Sequence, residues 1–326
     1  MIYRQVGKTD LKASVIGFGC WVVSGSKFWT GTDDQSSIRA IQAAFDMGIN
    51  FFDVAPVYGY GHAERLLGQA LKGKRDKVII ATKCGLVWDE SGKTQNILTK
   101  ENIFREIDES LERLGTDYVD IYQMHWPDYA TPIEESMEAL TKLQEQGKIR
   151  HIGASNFPLF LLNEARQYGE IESHQCLYNM LQRNDDNYHN IALGYRTELE
   201  ILPDCRQNQV AFIPYSPLAQ GLLTDGFDPE GISASDVRNA NPLLQGERLA
   251  KSLAVVKGLK EFAQEVGKPL SQLALAWMIK DETITTIIAG ATKIEHIQDN
   301  VESTTWELDD QVYQRINEFL MRTART

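Results

Sequence analysis

Residues 49–71 read INFFDVAPVYGYGHAERLLGQAL, and KVIIATK follows at 77–83. Each begins with a short apolar run bounded by polar residues, and a longer amphipathic stretch separates the two. This is the rhythm of a βαβ unit, in which two parallel strands are joined through an outer helix. The same rhythm continues in both directions. The apolar runs are VIGFGCW (about 15–21), INFFDV (49–54), KVIIATK (77–83), YVDIYQMH (118–125), IRHIGAS (149–155), ESHQCLY (172–178), QVAFIPYS (209–216) and TITTIIAG (283–290). Eight such units close on themselves, so the expected fold is α/β, a (β/α)8 TIM barrel.

The intervening helices carry boundary signals. DDQSSIRAIQAAFDMG has acidic residues in its first turn and Gly48 as a stop, ENIFREIDESLERLG ends at Gly115, and PIEESMEALTKLQEQG runs from Pro132 to Gly147. Ahead of the first run, IYRQVGKTDLKASVIG reads as an N-terminal β-hairpin around Gly7, Lys8, Thr9 and Asp10 that closes the barrel floor. Residues 222–249 are rich in Gly, Pro, Asp and Asn without a period; a loop of this length in a compact domain is commonly a functional lid. No linker or low-complexity tract interrupts the pattern, so residues 1–326 are read as one domain.

The 326 residues are 43% hydrophobic and 24% charged, with a formal net charge of −12. That acidity disfavours nucleic-acid and anionic-membrane partners, which are held by clustered Lys and Arg. MIYRQVGKTDLKAS lacks a signal-type apolar region and no window is long enough to span a bilayer, so a cytoplasmic location is expected. Cys20, Cys84, Cys176 and Cys205 are scattered without metal-type or disulfide-framework spacing, and no metal site is expected.

Four residues stand at or just after the ends of successive strands: Asp53, Tyr58, Lys83 and His125. Singly, they can be a strand-end cap, a rim aromatic, a surface cation and a satisfied histidine. Jointly, they make a proton donor for a carbonyl oxygen. A phenol has a pKa of about 10 when unperturbed, and a nearby ammonium stabilises its phenolate. Lys83 supplies that charge, Asp53 holds Lys83, and His125 orients the substrate oxygen, so Tyr58 is expected to be drawn toward neutrality as a general acid.

These segments resemble those of the aldo-keto reductase superfamily. FFDVAPVYGYGHAERLLGQAL is similar to the family segment with its catalytic Asp and Tyr, and LERLGTDYVDIYQMHWPD to the strand with its catalytic His. KIRHIGASNF, YSPLAQGLL and AGATKIEHIQDN are similar to its cofactor-binding segments, and the chain looks closest to the bacterial branch of general-stress and inositol-operon reductases and sugar dehydrogenases. The resemblance implies hydride transfer between NADP(H) and a carbonyl or alcohol, with NAD(H) not excluded. It places Ser155, Asn156 and Gln175 at the nicotinamide carboxamide, Tyr215 against the ring, and Ser216, Pro217, Leu218, Gln220 and Gly221 along the pyrophosphate. Arg238, Thr292 and Lys293 are implied for a 2′-phosphate and Asp299 and Asn300 for the adenine; Cys20, Trp21, Asp53, Gly290 and His296 are counted with the cofactor contacts. Two departures stand out. GLLTDGF puts Asp225 and Gly226 where similar proteins often have GLLTGK, and the stretch around 184–198 exceeds the family's compact connection, extending a helix or reaching an oligomer interface.

Trp21, Phe28, Trp29, Trp88 and Trp126 fall near the strand ends. With Tyr58 and His125, Trp21, Trp88 and Trp126 form the expected substrate site for a small aldehyde, ketone or sugar. The rival reading is a slow-turnover cofactor-binding redox sensor or regulatory subunit of the same fold, like potassium-channel β subunits.

Overall fold

The computed structural model describes residues 1–25, 33–232 and 236–323. Among them, eight strands form a closed barrel: β1 (Ile16–Gly19), β2 (Phe51–Asp53), β3 (Ile79–Cys84), β4 (Val119–Met124), β5 (Ile149–Ser155), β6 (Ser173–Leu177), β7 (Ala211–Tyr215) and β8 (Ile287–Ala289). Each pairs in parallel with its neighbour in chain order, and Ile287 to Ala289 pair with Ile16 to Phe18 at the closing seam.

Helices α1 (Asp34–Asp46), α2 (His62–Ala70), α3 (Lys100–Leu114), α4 (Ile133–Glu145), α5 (Leu159–Ala165) and α6 (Leu202–Asn208) follow the first six strands in turn. Two helices, α7 (Gly246–Glu265) and α8 (Leu270–Ile279), lie between β7 and β8; α9 (Ile294–Glu302) and α10 (Asp310–Thr323) complete the chain. The helix boundaries have local causes. Asp33 caps α1 by accepting from the Ser36 N–H at 2.9 Å, and α3 stops at Gly115, whose φ of 64° is the left-handed geometry glycine adopts without strain.

Because successive strand residues point to opposite faces, the strands feed two separate apolar regions. Phe18, Phe52, Ile80, Tyr122 and Phe212 face outward into the large core under the helices. Phe51, Ile79, Ala81, Ile121, Ala211, Ile213 and Ile288 fill the inside of the barrel. Both faces are covered, which is why the runs are almost uninterruptedly apolar. Gly153 of β5 makes room within the barrel: a Cβ there would lie 2.4 Å from Ser173 Oγ and 2.8 Å from Gln123 Cγ.

The expected N-terminal hairpin is present, with Tyr3–Gln5 antiparallel to Lys12–Ser14. Its Val6, Leu11 and Ala13 join the inner apolar group and seal the floor. Asn50 pins it by accepting from Ser14 N at 2.7 Å and donating to Lys12 O at 2.9 Å, and Arg4 donates to the carbonyls of Ile279, Asp281 and Ile284.

The long segment after β7 contains short helical turns at Ala219–Gly221, Val237–Ala240 and Pro242–Leu244 before α7 begins at Gly246. The 184–198 stretch differs from the expected helix extension: it forms a small antiparallel hairpin, Asn187–Tyr188 against Ile191–Ala192, and only afterwards a π-helical turn, Thr197–Ile201, leading into α6. No described helix is long and apolar enough to cross a membrane.

Candidate active site

One step of two residues up the inner face changes the barrel from apolar to polar. Phe51 gives way to Asp53, Ala81 to Lys83, Ile121 to Gln123 and Ile213 to Tyr215, with Gln175 of β6 at the same level. Lys83 has no exposed side-chain surface and Asp53 only 4%. Lys83 Nζ donates to both Asp53 oxygens at 2.9 and 2.8 Å and to Val54 O at 3.0 Å, and stands 3.4 Å from Tyr58 Oη. Gln175 Nε2 donates to Asp53 Oδ1 at 2.7 Å, with Gln123 Nε2 at 3.4 Å from the same oxygen. A buried charge survives only when paired and hydrogen-bonded, and this pair is.

Tyr58 reaches the group from the loop between β2 and α2, where the chain turns through Gly59, Tyr60 and Gly61, all with positive φ. Its ring meets His125 edge-on, with centroids 6.0 Å apart at 81°. His125 is 8% exposed, and burial, reinforced by the Lys83 charge, holds its imidazole well below the usual range. It is therefore a neutral ring at physiological pH, able to donate a hydrogen bond to an oxygen.

The expectation for Tyr58 is corrected. Burial pushes its phenol well above the ordinary range, and the Asp53 carboxylate and Cys20 push the same way. Asp53 takes two of the three Lys83 hydrogens and offsets its charge, so the phenol beside this pair is fully protonated.

Around this centre, Ser155, Asn156 and Gln175 sit together at the ends of β5 and β6, all buried. Asn156 holds a left-handed φ of 61°; its amide nitrogen donates to His125 O and Ser155 Oγ, while its oxygen accepts from Tyr195 and Tyr215, both at 2.9 Å. Ser155 Oγ keeps its own proton to donate. A donor hydroxyl beside two side-chain amides suits a carboxamide, which needs one donor and one acceptor partner. Ser216, Ala219, Gln220 and Gly221 hold positive φ values after β7, with Pro217 and Leu218 between them, a turn cluster at the rim. At Gly290, added bulk would meet Val22 Cγ1 at 2.9 Å and Gly19 O at 3.1 Å. These residues fit a nicotinamide dinucleotide.

Several expected contacts are placed otherwise. Cys20 is completely buried among apolar neighbours, so its thiol has no surface to offer a cofactor. Asp299 faces α8, accepting from Ser271 Oγ and from Gln272 Nε2 at 2.7 Å, rather than presenting a free carboxylate to an adenine. Arg238 makes a two-pronged bond with the buried Asp236 at 3.0 and 2.8 Å, which holds that carboxyl below its usual range. Asp225 accepts from the Leu270 N–H at the start of α8, 3.1 Å away, so this departure from the family pattern serves a helix end. Thr292, Lys293 and His296 cluster at the start of α9, with Lys293 and His296 exposed and Thr292 half-buried, and Asn300 is buried further along.

Of the aromatic residues, Trp21 stands on a helical turn just beyond β1, Trp88 packs against Tyr60 with ring centroids 5.3 Å apart, and Trp126 follows His125, half-buried against the core. Phe28 and Trp29 lie outside the described residues. Sequence reasoning missed Gln123, whose spacing of two from His125 on one strand signalled it. It also missed Tyr188, His189 and Tyr195, which come from an aperiodic stretch with no such signal.

The Aldo/keto reductase family matches residues 15–321 of this chain. The chain is similar to aldo-keto reductase YhdN of Bacillus subtilis, at 36% identity over 99% of this chain and 95% of that protein. It is also similar to the NADH-specific methylglyoxal reductase of Escherichia coli, at 36% identity over 94% of each. Among solved structures, the glycerol dehydrogenase AKR11B4 from Gluconobacter oxydans superposes with a TM-score of 0.86 at 30% identity, covering 99% of this chain and 96% of that one.

Proposed function

The chain belongs to the aldo/keto reductase family, oxidoreductases that use nicotinamide cofactors, and we propose that it interconverts a small aldehyde, ketone or sugar and the corresponding alcohol with NADP(H). The observation that carries this reading is the buried cluster in which Lys83 bridges Asp53 and Tyr58 while His125 faces Tyr58.

In reduction, the bound dihydronicotinamide supplies the hydride. His125, as a neutral ring, donates a hydrogen bond to the carbonyl oxygen and fixes its direction. Tyr58 Oη gives its proton to the same oxygen as negative charge develops there. The phenolate left behind faces the Lys83 ammonium, and Asp53 keeps that ammonium in place. Oxidation runs the same proton path backwards. A phenol that stays protonated at rest is in the correct state for reduction.

Ser155, Asn156 and Gln175 support the reading as partners for the carboxamide, and Tyr215 as the aromatic surface beneath the ring. Trp21, Trp88 and Trp126 supply apolar walls for a small substrate, in keeping with relatives named for methylglyoxal and for glycerol. On the choice of nucleotide, two features oppose each other. Lys293 and Thr292 at the start of α9 favour a 2′-phosphate, whereas the Arg238 pairing with Asp236 removes the better phosphate fork and favours NAD(H).

The test is steady-state turnover with NADPH and NADH against aldehydes, ketones and aldoses, with Tyr58→Phe alongside. Tyr58→Phe is expected to lose about 10²–10⁴-fold in kcat while nucleotide affinity, read by fluorescence, is retained. Tight nucleotide binding with negligible native turnover across the panel would instead support the redox-sensor reading.

A further inference from the structure

The hairpin Asn187–Ala192 leaves the barrel after β6 but does not stay there. In the barrel order β6-β7-β8-β1, its side chains reach the loop after β7 and then the turn after β1. Tyr188 Oη is 2.8 Å from Ser216 Oγ, and the Tyr188 ring lies 5.2 Å from that of Tyr215. Gln220 Nε2 donates to Tyr188 Oη at 3.2 Å and meets His189 Nε2 at 2.7 Å. His189 then meets the Trp21 ring edge-on, with centroids 5.8 Å apart.

The Gln220 amide orientation is set by its other partner. Gln220 Oε1 accepts from Asn241 Nδ2 at 3.0 Å, so its nitrogen is the end that faces the hairpin. Its two hydrogens go to Tyr188 and His189. His189 therefore carries its proton on Nδ1, and the bond between Tyr188 Oη and Ser216 Oγ is one that either hydroxyl can donate. Burial holds the His189 ring down at about 4, so this pattern is unchanged through neutral pH. Outside this chain of bonds, Asn190 Nδ2 donates to Ala240 O at 3.3 Å, and Arg248 pairs with Asp185 at 2.9 Å. His189 and Asn190 at the hairpin tip hold left-handed φ values of 50° and 63°, which persist where surroundings impose them.

We propose that this hairpin is a strap across the dinucleotide channel, with Tyr188 and His189 retaining the bound nucleotide. The proposal rests on the cofactor reading above: the strap touches Tyr215 at the end of β7, Ser216 and Gln220 in the loop after it, and Trp21 in the turn after β1, residues expected to hold the cofactor and substrate. In barrel order β8 lies between β7 and β1, so a hairpin bonded to the loop after β7 and to the turn after β1 lies over the side of the mouth where a pyrophosphate bound at 216–221 would sit. The Tyr188 and Tyr215 rings meet at 63°, and Tyr215 stays half-buried.

The experiment is stopped-flow fluorescence of NADPH and NADH binding and release, comparing the native chain with Tyr188→Phe and with a Tyr188→Ala/His189→Ala double variant. Release from the double variant is expected to be about tenfold faster, with association nearly unchanged, since interface changes act mainly on dissociation. Tyr188→Phe keeps the ring packed while removing the bonds to Ser216 and Gln220, and is expected to give a smaller acceleration in a chain whose folding is not at issue. Unchanged release in both variants would overturn the strap while leaving the cofactor reading intact. Faster association with tighter binding would overturn it too, showing a hairpin that blocks the channel. A native chain that binds neither nucleotide would overturn both proposals.

Discussion

The lower and upper halves of the barrel interior are built by the same strands and do opposite things. Phe51, Ala81, Ile121 and Ile213 pack into a dry plug sealed by the N-terminal hairpin, while Asp53, Lys83, Gln123 and Tyr215, two residues further on, form a network of charges and hydrogen bonds. The lower half is worth having because it excludes water. A carboxylate and an ammonium can stay paired in the upper half because the plug leaves them little else to interact with, and because Gln175 and Val54 satisfy what the pair does not. Stability and chemistry are thus separated by a single step of strand periodicity.

Removing the cation from the upper half should have the largest effect. Lys83→Met strands a buried carboxylate and is expected to cost roughly 3–5 kcal/mol in urea unfolding, together with a loss of about a thousandfold in turnover. Adding Asp53→Leu to it should recover much of the stability and none of the turnover, which would show that the pair is kept for chemistry. In the lower half, Phe51→Ala is expected to cost about 3–5 kcal/mol of stability through a cavity while the pH profile of kcat/KM stays as in the native protein. A changed profile would mean that the two layers are not independent.

The smallest effect concerns two histidines of opposite sign. At the floor, burial lowers the His151 ring, but Glu172 and Asp10, at 2.9 and 3.2 Å, outweigh it and raise the ring above its ordinary 6.5. Its stabilisation is therefore complete below about 6.5 and is lost as pH rises through the folded value. At the mouth, His125 is depressed, so its contribution is present above 6.5 and lost as pH falls below it. His151→Gln should cost at most about 1 kcal/mol at pH 5.5 and nothing measurable at pH 9, as followed by the pH dependence of the unfolding midpoint.

The barrel was legible because strands buried on both faces write themselves as apolar runs, and its catalytic candidates because they follow those runs at strand ends. Lys83 and Asp53 could be paired from spacing alone. The protonation of Tyr58 could not, since it depends on how completely Asp53 offsets Lys83 and on burial that only three dimensions show. Arg238 and Asp299 were misplaced for a related reason: a polar residue in a turn or helix end can face a ligand or tie down its own surroundings, and the local sequence reads the same either way. The hairpin at 187–192 has neither period nor glycine, and its left-handed tip falls on His189 and Asn190.

The seam between β8 and β1 has a consequence for the order of events when the protein is made. Arg4, in the hairpin that closes the floor, bonds to the Ile284 carbonyl 280 residues away, and Ile16 pairs with Ile287. A chain emerging from the ribosome therefore carries an unpaired β1 edge until β8 has been synthesised, and its hairpin lacks the Arg4 bonds although Asn50 can already hold it. The barrel can close only after β8 has been synthesised, and any nascent chain stalled before β8 presents an open sheet edge to whatever strand or chaperone is nearby.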